Sequence, residues 1–403
     1  MKKVALMHVI SKEEVTFFNR FERSLMDKGL SVIYVTTSLY CFLLLRLKGK
    51  DVYISMKNKT SNNNYSLESY FNDKVGWLSK EKSNIAFFSM YELSNKLMST
   101  YDVKVAFIPS GRLASHQGLT LACKELGVST IFSGYGNFPG KTFFDKEGTD
   151  KNSTLYNNKN KLESSVFDEV AKLEFSNWKK AYLSKKLQKH VVSQAKNVTI
   201  KTYLSRLARI VFCKVENVMG VALDVDRSWR SVFEFSKVDY SHLSSPLPDK
   251  KFLFLPLQFS KDAQLILNYH GDVVSSMNQA LDIAKEKDLA LVIKPHPVDN
   301  SIDVYHSIKK FLEDNNASLS LDNTFKLIDM SELVVTVNST VGLEAKIMNK
   351  DVTFLGESIY SDMRENHVYA YLFKYLVDIE YFSKTNITNS KLDEIFSICE
   401  VEL

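Results

Sequence analysis

Short apolar runs alternate with amphipathic stretches along the chain, and the alternation predicts strands feeding helices. Val4–Ile10 is a short apolar run of the kind expected for a buried parallel strand. Phe17, Phe18, Phe21 and Leu25 follow at helical spacing, and Gly29 stops that helix. Leu30–Val35 is the next strand, which completes a βαβ opening. Further on, Val103–Ile108 and Ser129–Phe132 read as strands around a helix, Leu113–Leu126, closed by Gly127. Residues 1 to about 140 therefore read as one doubly wound domain, with Ser61–Asn64 as a polar loop within it.

The same rhythm restarts at Phe252–Pro256. Leu289–Ile293, Leu333–Val337 and Val352–Leu355 are the following strands, with helices Val274–Lys285, Ser307–Glu313 and Leu343–Met348 between them. The middle of the chain differs. Glu163–Gln194 is long, helical and lysine-rich (Lys179, Lys180, Lys185, Lys186, Lys189), and Thr202–Met219 continues it with Arg206 and Arg209. A solvated helical connector is the first expectation there, and contact with anionic lipid the rival. Ser244–Pro248 is a linker signal. The expected division is 1–248 with a helical insertion at 160–245, then 249–365, then a tail 366–403. The aromatic helical stretch His367–Leu376 would pack the tail back on the N-terminal domain.

The length, 403 residues, suits two such domains. The net charge of +5 fits an anionic substrate or a membrane surface and is too weak to argue for nucleic acid. Cys41, Cys123, Cys213 and Cys399 lie far apart, as isolated thiols in a reducing compartment would. Val4–Ile10 is followed at once by Lys12, Glu13 and Glu14, unlike a signal peptide. Val32–Leu45 contains Thr36, Thr37 and Ser38 and falls short of the roughly 20 apolar residues of a membrane span. A cytoplasmic protein, peripheral on the inner membrane at most, is expected.

Candidate chemistry concentrates where strands end. In Val337–Ala345 a strand gives way to Ser339, Thr340 and Gly342 and then a helix. Helix N-termini present unpaired N–H groups and suit phosphate, although Ser339 or Thr340 could simply cap the helix. Glu344, one turn in, could accept two ribose hydroxyls. In Ile293-Lys294-Pro295-His296-Pro297 two prolines stiffen a histidine placed to donate to a phosphate oxygen or leaving group, and Lys294 adds charge. In Leu257–Gln264, Gln258 and Asp262 are four apart. Asp262 is a candidate nucleophile or base there, with helix capping as the competing role.

The first domain offers Ser110, Arg112, His116 and Gln117 after one strand and Gly134 and Tyr135 at the end of the next. Its glycines do not spell the dinucleotide fingerprint, and no P-loop, nucleophile elbow, zinc motif or metal cluster is evident.

Pro256-Leu257-Gln258 with Asp262, Lys294-Pro295-His296-Pro297, and Val337–Ala345, in that order and spacing, resemble the bacterial capsule polysaccharide synthesis family of β-Kdo glycosyltransferases. The likeness covers most of residues 100–360 and is strong across 252–356. It implies a GT-B-like α/β fold, two Rossmann-type domains facing a central cleft. It implies CMP-Kdo as donor and retention through an aspartyl-glycosyl intermediate on Asp262. His296, Ser339 and Thr340 would hold the CMP phosphate, supported by Lys294, Pro297, Gly342, Glu344 and Gln258. Ser110, Arg112, His116, Gln117, Gly134 and Tyr135 would meet the sugar carboxylate or the glycan or glycolipid acceptor. No cofactor and no metal are implied. The family's Glu-x-Gly-Tyr/Phe, which carries the general acid/base, is Phe132-Ser133-Gly134-Tyr135 here, so the glutamate is missing and Asp145 or Glu147 would substitute. Another sugar-nucleotide transferase or epimerase, or a non-catalytic membrane-associated assembly subunit, are the alternatives.

Overall fold

The computed structural model describes residues 1–58, 70–158, 160–163, 167–188, 200–226 and 238–403, with the backbone alone at 188 and 200–207. The polar loop Ser61–Asn64, Lys189 and the end of the lysine-rich stretch lie outside the described residues. The chain forms two compact units. One comprises Met1–Asn158, Leu204–Trp229 and Phe373–Leu403, and the other Lys159–Tyr203 and Arg230–Leu372. The segment 160–245, assigned from sequence to the N-terminal domain, is thus divided between the units, and the tail joins the first unit from Phe373 onward.

The first unit is a six-stranded sheet of β1 (Lys3–Val9), β2 (Ser31–Thr36), β3 (Val52–Ile54), β4 (Asp102–Pro109), β5 (Ser129–Tyr135) and β6 (Thr142–Asp145). Its order is β3-β2-β1-β4-β5-β6, parallel except for the β5–β6 pair. Val4 to Val9 are all buried, because helices cover both faces of β1, and this is why its sequence is apolar without alternation. The expected first helix is two, Lys12–Asn19 and Glu22–Asp27. The break falls at Arg20, whose guanidinium donates to the carbonyls of Thr385 (2.6 Å) and Glu380 (2.8 Å) in the tail. Phe17, Phe18, Phe21, Phe107 and Phe144 pack together beneath the sheet, and Tyr381 stacks on Phe17 at 4.1 Å between centroids. Each buried ring contributes roughly 1.5–3 kcal/mol.

The second unit is a five-stranded, wholly parallel sheet of β7 (Phe252–Pro256), β8 (Ala290–Lys294), β9 (Ala317–Leu319), β10 (Leu333–Thr336) and β11 (Asp351–Phe354). Its order is β11-β10-β7-β8-β9. Numbered by appearance from either sheet's first strand, both sheets run 3-2-1-4-5, the doubly wound order whose switch point lies beside the first strand. Each unit is therefore Rossmann-like and α/β. Among the described residues no helix is long and apolar enough to cross a membrane.

Candidate functional site

The three strand-tip motifs of the second unit end β7, β8 and β10, which are neighbours in the sheet. Neighbouring strands lie about 4.8 Å apart, so the three tips share one edge within about 10 Å. Pro256 pairs with Lys294 in register, and beyond them the Leu257 N–H donates to the Lys294 carbonyl at 2.9 Å. The Ser260 N–H donates to Asp299 at 2.7 Å and ties the first loop to the second again. The first loop is tied to the third through Gln258 and Asn338, both buried. Gln258 Nε2 donates to Asn338 Oδ1 and the Asn338 N–H donates to Gln258 Oε1, each at 2.9 Å. Gln258, expected at the nucleotide, thus has both ends of its amide engaged in fixing the loops.

Asp262 is half-buried and caps the helix Ala263–Asn268, its Oδ1 accepting from the Gln264 N–H at 2.8 Å. The capping role that competed with the nucleophile in the sequence is therefore present. Capping occupies Oδ1, and the second oxygen has no hydrogen-bond donor among the described residues. His296 accepts the Val298 N–H at Nδ1 (3.4 Å), which makes Nε2 the protonated nitrogen. Burial pushes the His296 pKa below its ordinary value, while the carboxylates of Asp262 and Asp299 act in the opposite direction. Asp262 and His296 are thus electrostatic neighbours across two adjacent strand tips.

At the third tip Ser339 caps the helix Thr340–Ile347, its Oγ accepting from Val341 at 3.2 Å. The Thr340 N–H has no protein acceptor among the described residues, as is usual in a first helical turn. Gly342 lets this helix settle on the sheet: a Cβ there would come within 2.6 Å of the Phe354 ring and 2.9 Å of Thr336 Cγ2. Pro297 is exposed.

Two other expected ligand groups are already engaged. Glu344 is buried and accepts from Tyr182 Oη at 2.6 Å and Lys186 Nζ at 3.1 Å, both on the helix Glu169–Gln188. Its Oε1 braces two helices and is not offered to a ribose. The ammonium of Lys294 bonds the carbonyls of Leu321 (3.2 Å) and Asp322, and burial pushes its pKa down.

In the first unit Asp145 is corrected from acid/base to structural acceptor. It is fully buried and accepts from the N–H groups of Glu147 (2.8 Å) and Thr154 (2.9 Å), the Thr154 hydroxyl (2.7 Å) and Tyr375 Oη (2.6 Å). A carboxylate so enclosed has no route to a substrate proton. Glu147 is exposed. Arg112 is paired with Asp150, and the Ser110 carbonyl accepts from Thr149 Oγ1 at 2.8 Å. Gln117 donates to the Arg112 carbonyl at 3.4 Å. Gly134 lies in the β5–β6 ladder, and the exposed Tyr135 packs against Tyr381 and Phe382. His116 is also corrected. It is buried edge-on against His8 at 4.6 Å, with both ring nitrogens unpaired among the described residues, so it meets no ligand from solvent.

Sequence reasoning missed the polar cluster at the first unit's switch point, between β1 and β4. Ser115 Oγ lies 2.9 Å from His8 Nε2 and donates to Asp224 at 2.5 Å. Asp224 also accepts from Thr37 Oγ1 (2.8 Å) and the Ser115 N–H (3.1 Å). Glu14 closes a capping box with Ser11, and burial pushes its pKa up to about 7 against hydrogen bonds from the Ile10 and Ser11 N–H groups. A histidine inside an apolar strand, His8, is the one signal of this cluster in the sequence. Among the described residues no three His, Cys, Asp or Glu side chains gather as a metal site.

The model of a family described as capsule polysaccharide biosynthesis protein matches residues 139–363. The chain belongs to this family. Among curated relatives of this capsule-synthesis protein is Protein FixF of Sinorhizobium fredii, 34% identical over 119 residues, which are 27% of this chain and 27% of FixF. The chain thus matches about a quarter of that relative's length. Among solved structures, the capsule-synthesis protein is similar to Thermosulfurimonas dismutans KpsC, beta Kdo 2,7 transferase (12% identity, 98% of this chain, 99% of that one, TM-score 0.41). It is likewise similar to the KpsC beta Kdo 2,4 transferase of that organism (12%, 96% and 97%, TM-score 0.42). Acinetobacter baumannii MurG is more distant (14%, 98% and 90%, TM-score 0.28).

Proposed function

We propose that this capsule-synthesis protein is a retaining glycosyltransferase that moves Kdo from CMP-Kdo to a surface-polysaccharide or glycolipid acceptor. The observation that carries the reading is that Asp262, with one carboxylate oxygen open, and His296 lie on the tips of adjacent strands, next in the sheet to the helix N-terminus at Ser339–Thr340. Family membership supplies the biosynthetic setting.

The open oxygen of Asp262 attacks the anomeric carbon, the bond to the CMP phosphate breaks, and a glycosyl ester forms on the aspartate. His296 Nε2–H donates to the departing phosphate, and the Ser339–Thr340 turn with its helix dipole stabilises the negative charge. An acceptor hydroxyl then displaces the aspartate and gives up its proton, a second inversion that restores the β configuration. With Asp145 enclosed, the proton falls to Glu147 or to a group outside the family pattern.

Incubation with CMP-Kdo followed by intact-mass measurement tests this directly. A mass increment of one Kdo residue, absent from Asp262→Ala, is expected. Transfer by Asp262→Ala, or thermal stabilisation by UDP and not by CMP, overturns the reading.

A further inference from the structure

In the first unit, the helix Leu39–Leu47 and the helix Ile200–Val218, which belongs to this unit from Leu204 onward, each carry a second apolar side that no described part of the unit covers. In the first, Leu39, Cys41 and Leu45 are buried while Tyr40, Leu43 and Leu47 are exposed at i, i+3 and i+7. In the second, Ile210 and Cys213 are buried while Val211, Val215 and Val218 are exposed at i, i+4 and i+7. Leu47 and Val218 are 86% and 90% exposed.

The two stripes adjoin. The Tyr40 and Phe212 rings meet edge to face at 5.8 Å, and the Leu39 N–H donates to Glu216 at 2.6 Å. Met56 and Met219, both exposed, extend the surface beside the Met56–Val221 bridge. Single exposed apolar residues are ordinary, but eight on two neighbouring segments make a patch that marks an interaction site.

The charge around the patch identifies its partner. Arg46, Lys48, Lys57, Arg209 and Lys214 are exposed on the same segments, and none forms an ion pair among the described residues. Of the carboxylates there, Asp51 is exposed, Glu216 is buried on the Leu39 N–H, and Asp226, which also attracts Lys214, is already paired with Lys82. A two-fold contact with a second copy would set these cations against their own kind. An anionic bilayer takes the apolar stripes into its headgroup boundary and neutralises the cations in one contact. The sequence suggested lipid contact for both basic stretches, Glu163–Gln194 and Thr202–Met219; in the first of them Lys186 pairs with Glu344 and Lys179 bonds Asn349, which leaves the second.

We propose that the face formed by Leu39–Leu47 and Ile200–Val218 seats the protein on an anionic membrane surface. The proposal is independent of the reaction assigned above. It is tested by sedimenting the full chain with vesicles of phosphatidylcholine alone and of phosphatidylcholine mixed with phosphatidylglycerol. Binding to the mixed vesicles, weakened by salt, is expected. The Leu47→Gln/Val215→Gln/Val218→Gln variant should bind roughly tenfold more weakly or worse. Lys48→Glu/Lys214→Glu should lose on the order of tenfold. Both should keep the parent Tm, because every changed side chain is exposed. Equal binding to the two vesicle types, no binding to the mixed vesicles, or full binding by the triple variant overturns the proposal. A concentration-dependent dimer that the triple variant abolishes also overturns it, in favour of a second copy.

Discussion

Gln258 and Asn338, eighty positions apart, exchange two hydrogen bonds of 2.9 Å and so clamp the loop after β7 to the loop after β10. Asn338 Nδ2 continues the clamp to the carbonyls of Gln264 (2.9 Å) and Glu357 (3.3 Å). Gln258→Leu strands a buried amide oxygen and a buried N–H. A loss of about 2–4 kcal/mol is expected, read as a lower urea midpoint, together with weaker nucleotide binding. An unchanged midpoint would remove the clamp from the account of the site.

The double duty of Asp262 can be separated. Asparagine caps a helix about as well as aspartate, whereas alanine costs about 0.5–2 kcal/mol. Asp262→Asn should therefore match the parent in Tm and still fail to transfer sugar, while Asp262→Ala should lose both stability and transfer. Normal turnover by the asparagine variant would leave Asp262 as a cap alone.

His296 starts neutral, since burial holds its pKa below the ordinary value. A phosphate beside Nε2 favours the imidazolium, so binding raises the pKa and takes up a proton. Nucleotide affinity should consequently strengthen as pH falls from about 8 to about 6, through the pKa of the bound state. His296→Gln should bind with no such slope. Calorimetric titrations in that range check both, and a flat profile for the parent protein would detach His296 from the phosphate.

The buried histidines of the first unit act on stability. Burial pushes His8 down to about 3 and His116 well below its ordinary value. Their folded-state pKa values are depressed, so the unfolded chain takes up protons below about pH 6.5 that the buried rings refuse, and stability falls as pH drops. Glu14, raised to about 7, opposes this by losing stability as pH rises from the ordinary carboxylate range. Comparing His116→Leu with the parent cancels the Glu14 contribution. The variant should be more stable at pH 5 by about 1–3 kcal/mol and show a shallower acid limb.

The central strands β1, β4, β7, β8 and β10 were legible because they are buried on both faces and so nearly continuously apolar, whereas the short strands β3, β6 and β9 were not read. The helix Lys80–Thr100 was not, because it buries Ser83, Ser89 and Ser94 beside Phe87 and Met90, which blurs its apolar stripe. Nothing local announced that it crosses Ala114–Glu125 at Gly118, where a Cβ would collide with the Phe87 carbonyl. The three strand-tip motifs were legible for a related reason: parallel order brings successive tips to one edge. The roles of individual polar groups were not. Asp145 looked free until Tyr375, 230 positions later, reached it, and Glu344 until Tyr182 did. Partners so distant in the chain leave no periodicity to read.

Residues 373–403 give the first unit its last layer: Val377 joins Thr142, Tyr375 reaches Asp145, and Leu392, Ile395 and Phe396 enter the core around Phe17. During synthesis all of the second unit's residues leave the ribosome before these do. The first unit therefore cannot close its aromatic core until residues 373–403 are in place, however early its first strands are made. A chain cut after Leu372 would keep every residue of the second unit while leaving the aromatic core of the first open to chaperones and proteases.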